Sequence, residues 1–376
     1  MDLNLTEQQE GLAVAVRDFC TKVFPPAQRT ASAAQAFQRD NWQDLCALGV
    51  ACLELDESRG GSAMSLADTH VAVAELGRAL LTGHLLELAW RPLAVLRRLP
   101  CEPGVDDMIR QIAESAQRWV VAKAPTQSTP CFVAAPRTEG GWQLKGSVTL
   151  VPGLDVSDGV LVWASQSTDG RPMLFKLPVS EFDEVDFAES LDGDRLGAAR
   201  ANGLSVTPAD LLASGEVVSH ALNAADEAYC ALLTVEIAAI VSELLDMCLE
   251  FVRTRQQFGR PLADFQALQH QLADFYLQAE RSVSVARLAV AAIDDQPPGE
   301  ATLWVSAAAQ IAGSNARLLG ERAVQLHGAM GFTDECRVAP LVRRALVATA
   351  RLGSPSWHLD RFDRLRSAAG TKELNA

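Results

Sequence analysis

The sequence predicts an α+β fold in which an N-terminal helical domain, a middle β-domain and a C-terminal helical bundle follow one another. Three observations predict this order. Apolar residues recur at helical spacing up to about residue 115, short β-type runs fill about 117–210, and long helical stretches return from about 215. We therefore place an α-helical domain at 1–115, a β-domain at 116–212 and a four-helix-bundle domain at 213–376.

The N-terminal part contains several amphipathic helical segments. Thr6 is a candidate N-cap, and apolar residues at helical spacing follow it. A second periodic segment runs from Trp42 to near Gly49, and Gly60-Gly61 then interrupts the pattern. A further helix is predicted from about Leu66 to Leu81. The apolar faces of these helices are typical of core packing.

The middle part consists of short β-type runs separated by clusters of Pro, Gly, Asp and Ser, which predicts a small antiparallel β-domain. The runs are Trp119–Ala122, Cys131–Ala134, Gly141–Lys145 and Gly159–Trp163. The C-terminal part is predicted to contain three long helices, which are His220–Arg253, Phe265–Ile293 and Glu300–Gln325.

Composition excludes several functions. The formal net charge is −14 over 376 residues, which argues against a nucleic-acid partner. Eight scattered cysteines without metal-ligand spacing argue against a metal site and favour reduced thiols. The acidic, polar start does not resemble a signal peptide, and membrane insertion is not expected. We therefore expect a cytoplasmic protein.

Two stretches of the C-terminal part indicate a ligand site. The first is Arg253–Pro261, with the sequence Arg-Thr-Arg-Gln-Gln-Phe-Gly-Arg-Pro, and the second is Gln325–Thr333, with Gln-Leu-His-Gly-Ala-Met-Gly-Phe-Thr. Arginine donates charge-assisted hydrogen bonds to phosphate, and glycine lets a backbone approach a ligand closely. Together they predict a site for the phosphate-bearing end of a nucleotide. The alternative for the first stretch is a solvated helix C-terminus, which the helix dipole favours.

In residue identity and spacing, these stretches resemble motifs of the acyl-CoA dehydrogenase family of flavoproteins. Weaker matches follow the same order near the N-terminus, at Leu5–Gln8, Trp42–Leu55 and Val73–Arg78. The resemblance implies an acyl-CoA dehydrogenase-like fold, an FAD cofactor and an acyl-CoA substrate. In this family the FAD spans two subunits: one β-domain holds the flavin ring, and the neighbouring subunit contacts the pyrophosphate and adenosine.

The resemblance also assigns cofactor contacts. Arg255, Gln256 and Gln257 would meet the pyrophosphate, with Phe258 beside it. Phe265 and Gln266 would lie along the same cofactor. The ADP portion of a neighbour's FAD would be held by Gln325, Leu326, His327, Gly328 and Ala329. We expect His327 to be a hydrogen-bonded structural residue without a role in proton transfer.

The residues that perform the chemistry in the family are missing. Many relatives carry the base in a Glu-Gly-Thr turn, which here reads Leu352-Gly353-Ser354. Others carry it on the helix before the Thr-Arg motif, at the position of Tyr229, followed by an Arg at the position of Cys230. The catalytic base is therefore unassigned. Glu227 is a candidate two residues from Tyr229, although a solvated helix residue is its simpler explanation, and Glu236 is the other nearby carboxylate.

The segments that face the flavin in the family also differ. A Thr-Glu-Pro segment is replaced by Lys123-Ala124-Pro125, and a Trp-x-Thr or Trp-x-Ser segment by Leu150-Val151-Pro152. Proline at position 152 removes a backbone donor and a hydroxyl group at once. The sequence thus retains the residues that reach a neighbour's cofactor and has lost those that hold a flavin ring.

This asymmetry predicts the degenerate subunit of a heteromeric acyl-CoA dehydrogenase. Some bacterial members that act on bulky sterol-type thioesters, in lipid or steroid catabolism, combine two kinds of subunit. The expected partner is a paralogous acyl-CoA dehydrogenase subunit, in a heterotetramer, whose FAD site this chain would complete. Three alternatives stay open: a self-sufficient homomeric dehydrogenase with a relocated base, a non-catalytic scaffold that has lost the cofactor, and a related flavin oxidase or monooxygenase.

Overall fold

The computed structural model describes residues 5–25, 40–114, 117–124, 126–333 and 336–373. The chain divides into two compact units. The first contains Met1–Ala34, Leu66–Thr82 and Cys230–Ala376, and the second contains Gln35–Ser65 and Gly83–Tyr229. The domain boundaries at 115 and 212 given above stay a prediction.

The helices follow the order predicted from periodicity. They are α1 (Glu7–Val23), α2 (Trp42–Ala47), α3 (Leu66–Arg78), α4 (Gly83–Leu85), α5 (Arg91–Leu96), α6 (Pro103–Ala113), α7 (Glu216–Thr254), α8 (Gln266–Asp295), α9 (Pro298–His327), α10 (Val338–Leu352) and α11 (Pro355–Glu373). A π-helical segment, Leu86–Trp90, joins α4 to α5. Short 3-10 turns lie at Val50–Cys52, Glu57–Arg59, Leu154–Val156, Val179–Glu181, Leu262–Asp264 and Gly328–Phe332.

The predicted N-cap at Thr6 is confirmed. Its hydroxyl oxygen accepts the backbone N–H of Gln9 at 3.2 Å, and the Gln9 side-chain oxygen accepts the backbone N–H of Thr6 at 3.1 Å. This reciprocal arrangement satisfies two of the donors that a helix start leaves without intrahelical partners, and a side-chain cap is typically worth about 0.5–2 kcal/mol. Helix α1 then packs on α3, where Arg17 and Glu75 form a bidentate ion pair with N–O distances of 2.7 and 2.9 Å.

In the first unit, α3 receives its N-terminal cap from a distant helix. The Asp294 carboxylate, near the end of α8, accepts the backbone N–H groups of Leu66 at 3.2 Å and Ala67 at 2.9 Å. An anion at this position also complements the helix dipole. Helices α7, α8 and α9 correspond to the three long helices that the sequence predicts; α7 and α9 extend beyond both predicted ends, whereas α8 begins one residue later and ends two residues later than predicted. Two helices that the sequence analysis did not name, α10 and α11, follow them.

Helix α7 is long and apolar enough to cross a membrane by length and composition alone. Its most apolar 18-residue window, however, is 89 % buried inside the protein. That burial is the pattern of a core helix, because a lipid-facing helix would leave its apolar side chains on the protein surface.

The second unit contains an eight-stranded sheet in the order β6-β7-β3-β2-β4-β5-β8, with β1 also paired to β4. The strands are β1 (Trp119–Val121), β2 (Phe132–Pro136), β3 (Trp142–Pro152), β4 (Gly159–Gln166), β5 (Pro172–Pro178), β6 (Glu184–Glu189), β7 (Arg195–Val206) and β8 (Leu211–Ser214). The four predicted runs correspond to β1–β4, whereas β5–β8 were not named.

The prediction of an antiparallel sheet is wrong for two strand pairs. Strands β1 and β4 are parallel, with Trp119 opposite Gly159, and β2 and β4 are parallel, with Phe132 opposite Ala164. The other pairs of this sheet are antiparallel. The runs themselves carry no pairing information, because a parallel and an antiparallel strand can have the same composition.

Candidate functional site

The Thr-Arg motif folds into a two-stranded hairpin directly after α7. Strand β9 (Gln256–Gln257) pairs antiparallel with β10 (Arg260–Pro261), and Phe258 and Gly259 form the two-residue turn. Both turn residues have positive φ, 54° for Phe258 and 77° for Gly259, as a type I′ turn requires. Glycine suits this turn, but a left-handed phenylalanine costs roughly 1–2 kcal/mol.

The side chains of this hairpin point outward. Phe258 is 88 % exposed, and Arg255, Gln256 and Gln257 are exposed as well. The guanidinium carbon of Arg260 lies 4.1 Å from the centre of the Phe265 ring, and the Phe258 ring meets Phe265 edge-on at 6.1 Å. Within the described part of the chain, no ion pair is formed by any of the exposed arginines of this segment, which are Arg253, Arg255 and Arg260. The hairpin therefore exposes positive charge, amide groups and an aromatic ring at the surface.

The second motif forms the end of α9 and the turn after it. Gly328 has φ 62° and ψ −141°, a combination that residues with a side chain rarely adopt. Gln325, Gly328 and Ala329 are exposed. His327 is buried, and its Nδ1 lies 2.9 Å from the Ala323 carbonyl oxygen.

The structure brings the two motifs together in the first unit. The ring of Phe251, one helical turn before Arg255, lies 4.4 Å from the ring of His327, centre to centre. Phe332, just after the second motif's turn, is 74 % exposed. Phe258 and Phe332 are the two most exposed large apolar side chains among the residues that the structure describes. Each motif therefore carries one strongly exposed aromatic side chain.

The second unit contains a buried cluster of charged groups that the sequence analysis did not identify. Arg91 donates to Asp226 at 2.7 Å, Lys123 forms an ion pair with the other oxygen of Asp226, and the Tyr229 hydroxyl donates to Glu87. None of these five residues is more than 4 % exposed. Burial acts to lower the pKa of Arg91, but the carboxylates of Asp226 and Glu87 outweigh it, so this pKa lies above its ordinary value.

A second buried ion pair lies in the first unit, between α7 and α10. Arg344 donates to both carboxylate oxygens of Glu236, from Nε at 2.7 Å and from Nη2 at 3.0 Å. The Thr82 hydroxyl donates to the same carboxylate. Glu236 is fully buried and Arg344 nearly so.

Comparison with protein families then decides the identity of the fold. The model of the acyl-CoA dehydrogenase N-terminal domain matches residues 6–90, and that of the C-terminal domain matches residues 231–363. Together these matches cover more than half of the chain. The chain belongs to the acyl-CoA dehydrogenase family. Its members are FAD-dependent oxidoreductases that act on the CH–CH bond of an acyl-CoA.

Relatives and solved structures agree with this assignment. The acyl-CoA dehydrogenase IpdE2 of Mycobacterium tuberculosis is 27 % identical over 95 % of this chain and 96 % of its own. The chain superposes on the ChsE4–ChsE5 complex from Mycobacterium tuberculosis with a TM-score of 0.82 at 22 % identity, covering 98 % of this chain and 99 % of that one. It superposes on a variant of the Tcur3481–Tcur3483 steroid ACAD with a TM-score of 0.81 at 23 % identity, covering 97 % and 99 %.

Neither of the two positions at which the family resemblance places the base, Leu352 and Tyr229, holds a carboxylate. Leu352 is fully buried, and its carbonyl oxygen lies 3.0 Å from Nε2 of His358. Tyr229 and Cys230 are also buried. Glu227 lies half-buried on α7, and its assignment as a base stays a prediction. Glu236 is disfavoured as a base, because both of its oxygens already accept hydrogen bonds from Arg344.

The two segments that the family resemblance expects to face a flavin, Lys123–Pro125 and Leu150–Pro152, do not fit a flavin ring. Lys123 is buried in the ion cluster, Ala124 is exposed, and Pro125 lies outside the described residues. Leu150 sits at an irregularity of β3 with φ 59° and points outward, while Val151 and Pro152 are buried. Position 152 has neither an N–H nor a hydroxyl group to offer. The outward-facing hairpin, by contrast, fits the phosphates of a nucleotide, since its arginines are exposed and not engaged in ion pairs.

One sequence signal could have revealed the buried cluster. Glu87 and Arg91 stand four residues apart in the stretch from Gly83 to Leu96, which is otherwise almost entirely apolar. Charged residues in such a stretch are seldom fully buried unless they are paired. Their other partners, Lys123 and Asp226, are too distant in sequence for the pattern to indicate them.

Proposed function

We propose that this chain is a subunit of a heteromeric FAD-dependent acyl-CoA dehydrogenase and completes the FAD site of a paralogous partner subunit. The observation that carries the proposal is the outward-facing pair of motifs. Among the described residues, the two most exposed large apolar side chains, Phe258 and Phe332, belong to these segments. Phe258 lies at the tip of an exposed hairpin and has a left-handed backbone conformation, with φ 54°. Residues in strained backbone conformations are concentrated at functional sites.

The chemistry of the hairpin matches the charged middle of FAD. Arg255, with Gln256 and Gln257 beside it, would donate hydrogen bonds to the pyrophosphate, and Phe258 and Phe265 would cover its side. Gln325 and the turn at Gly328 would hold the adenosine end. FAD would supply the hydride-accepting chemistry of the dehydrogenation, and the part of this chain would be to bind and orient the cofactor through Arg255, Gln256, Gln257 and Gln325.

Electrostatics supports a local site of this kind. The chain has a formal net charge of −14, which repels polyanions on average. Arg253, Arg255 and Arg260 lie within eight residues on an exposed segment and supply a cationic patch against that background. A dinucleotide would therefore meet a local positive charge at this hairpin.

The comparisons support a second kind of subunit and a bulky substrate. One similar structure is a complex of two differently named chains, ChsE4 and ChsE5, and another is a steroid ACAD. We accordingly propose a heterotetramer in which the partner supplies the base, a sterol-type acyl-CoA thioester as the substrate, and a cytoplasmic location.

The test is the visible absorption spectrum of the purified chain, alone and co-expressed with a paralogous subunit that carries a catalytic glutamate. A flavin band only in the co-purified complex supports the proposal. A band from the isolated chain, bleached by an acyl-CoA, contradicts it and makes Glu227→Gln the next variant. The absence of flavin from both preparations contradicts it in favour of a scaffold.

The Arg255→Ala variant tests the contact itself. Loss of a hydrogen bond to a charged group costs about 1.5–3 kcal/mol, which corresponds to about 10- to 150-fold weaker FAD retention by the complex. The matched control is Arg137→Ala, which removes an equally charged surface side chain from a β-turn of the second unit. Equal flavin content in both variants would contradict the assigned role of Arg255.

A further inference from the structure

The buried cluster of Glu87, Arg91, Lys123, Asp226 and Tyr229 includes two positions that are functional in relatives. Lys123 stands in the segment that faces the flavin in relatives, and Tyr229 stands at one of the family's base positions. Arg91 links Lys123 to Tyr229. It donates a hydrogen bond at 2.7 Å to Asp226, which also pairs with Lys123, and its guanidinium carbon lies 4.7 Å from the centre of the Tyr229 ring.

The members of the cluster are buried and contact one another. The Lys123 ammonium group lies 5.5 Å from the centre of the Trp163 ring and is paired with Asp226. Arg91 also donates to the Lys123 carbonyl oxygen, and Glu87 is 3.7 Å from the other amino group of Arg91. These contacts link the π-helical segment and α5 to the end of β1, to Trp163 on β4 and to the start of α7.

The charges within the cluster balance. Arg91 and Lys123 contribute two cations, and Glu87 and Asp226 contribute two carboxylates. A buried charge is tolerated only when it is paired and hydrogen-bonded, and each of these charges has its partner inside the cluster. A flavin ring or a thioester could enter only by separating these pairs, which would leave unpaired charges in a buried environment.

We infer that this cluster closes the chain's own cofactor and thioester pocket, so that the chain binds neither a flavin ring nor an acyl-CoA there. The inference concerns the second unit alone. It deepens the proposed function. It rests on that function only for the statement that the hairpin contacts the FAD of the partner subunit. A chain with a closed pocket and an outward-facing hairpin contributes to one FAD site, the one that belongs to its partner.

The first experiment measures the accessibility of Lys123 in the folded, isolated chain. Acetic anhydride acylates accessible amines, and mass spectrometry of peptides gives the rate for each lysine. Lys145 is the matched reference, because it is an exposed lysine on β3 of the same sheet. We expect Lys123 to react at least about tenfold more slowly than Lys145, since acylation requires the cluster to open.

Two variants show whether Lys123 is acylated slowly because the cluster buries it or because its amine is unreactive for another reason. Asp226→Asn removes the carboxylate that holds Lys123 and should raise the acylation rate of Lys123 several-fold. Asp186→Asn, an exposed residue of β6, is the control and should leave that rate unchanged. Comparable rates for Lys123 and Lys145 in the unaltered chain, or protection of Lys123 on adding FAD, would overturn the inference.

The second experiment counts flavin released on denaturing the co-purified heteromer. One flavin for each pair of chains supports a closed pocket in this chain, and two flavins for each pair overturn it. A complex without flavin contradicts the proposed function, whereas slow acylation of Lys123 in the same chain would still support the closed pocket. The two proposals therefore fail in distinguishable ways.

Discussion

The Glu236–Arg344 ion pair gives the sharpest stability prediction. Glu236→Ala would leave the Arg344 guanidinium buried without the carboxylate that now accepts its hydrogen bonds at 2.7 and 3.0 Å. Removing one partner of a buried pair costs about 3–5 kcal/mol. That is a large part of the roughly 5–15 kcal/mol that stabilises a typical folded protein.

Urea denaturation of the isolated chain, followed by circular dichroism, measures the change in the free energy of unfolding. Glu321→Ala is the matched control, since Glu321 forms an exposed pair with Arg317 at 3.0 Å and should contribute no more than about 0.5 kcal/mol. The double variant with Arg344→Met should recover much of the loss, because it also removes the unpaired charge. If Glu236→Ala cost no more than Glu321→Ala, the pair would not be a structural element.

A second variant of Glu236 tests whether this residue has a structural or a catalytic role. If Glu236 were the relocated base, Glu236→Gln in the flavin-loaded enzyme would abolish reduction of the flavin by acyl-CoA. If it only stabilises the first unit, Glu236→Gln lowers the stability of the chain and leaves the rate of flavin reduction in the complex unchanged. A stopped-flow absorbance measurement distinguishes the two, and the structure predicts the second result.

Three further predictions concern the backbone, the histidines and the hairpin tip. Gly328→Ala should lower the free energy of unfolding by about 1–3 kcal/mol through backbone strain alone, whereas Gly299→Ala, which has open space and ordinary geometry, should not, as thermal denaturation would show. Burial lowers the pKa of His70 and of His358 to about 4 from 6.5, so the unfolded chain binds more protons in that window. Stability should therefore fall as pH decreases from 6.5 to 4, and His358→Gln should reduce the slope of denaturation midpoint against pH. Phe258→Asn should change the stability of the isolated chain by no more than about 1 kcal/mol, because relief of left-handed strain offsets the lost aromatic contact, yet it should weaken flavin retention in the complex.

Features encoded in short stretches of sequence could be predicted, and features that depend on distant residues could not. The capping box at Thr6 and the three long helices are local, and each was predicted close to its observed position. The parallel pairing of β2 with β4 is not local, because the hydrogen bonds join strands that no turn connects directly.

The same distinction holds within the candidate site. The family resemblance located the hairpin and the turn after α9, since each is one continuous segment. It offered Glu236 as a possible base, because nothing near Glu236 in sequence indicates its pairing with Arg344, which is 108 residues away. The buried cluster likewise joins Arg91 to Asp226 across 135 residues.

The buried charges of the Arg91–Asp226 cluster depend on one another, which restricts the single substitutions that this protein can accept at those positions. A change of Lys123 toward the residue found in flavin-binding relatives would leave the Asp226 carboxylate with one cation instead of two. A change of Asp226 alone would leave two buried cations facing each other. Each single step lowers stability before any flavin can bind, and marginal stability leaves little room for such intermediates. Under the proposed subunit role, a gain of independent flavin binding requires several substitutions at once, because each single change leaves a buried charge without its partner.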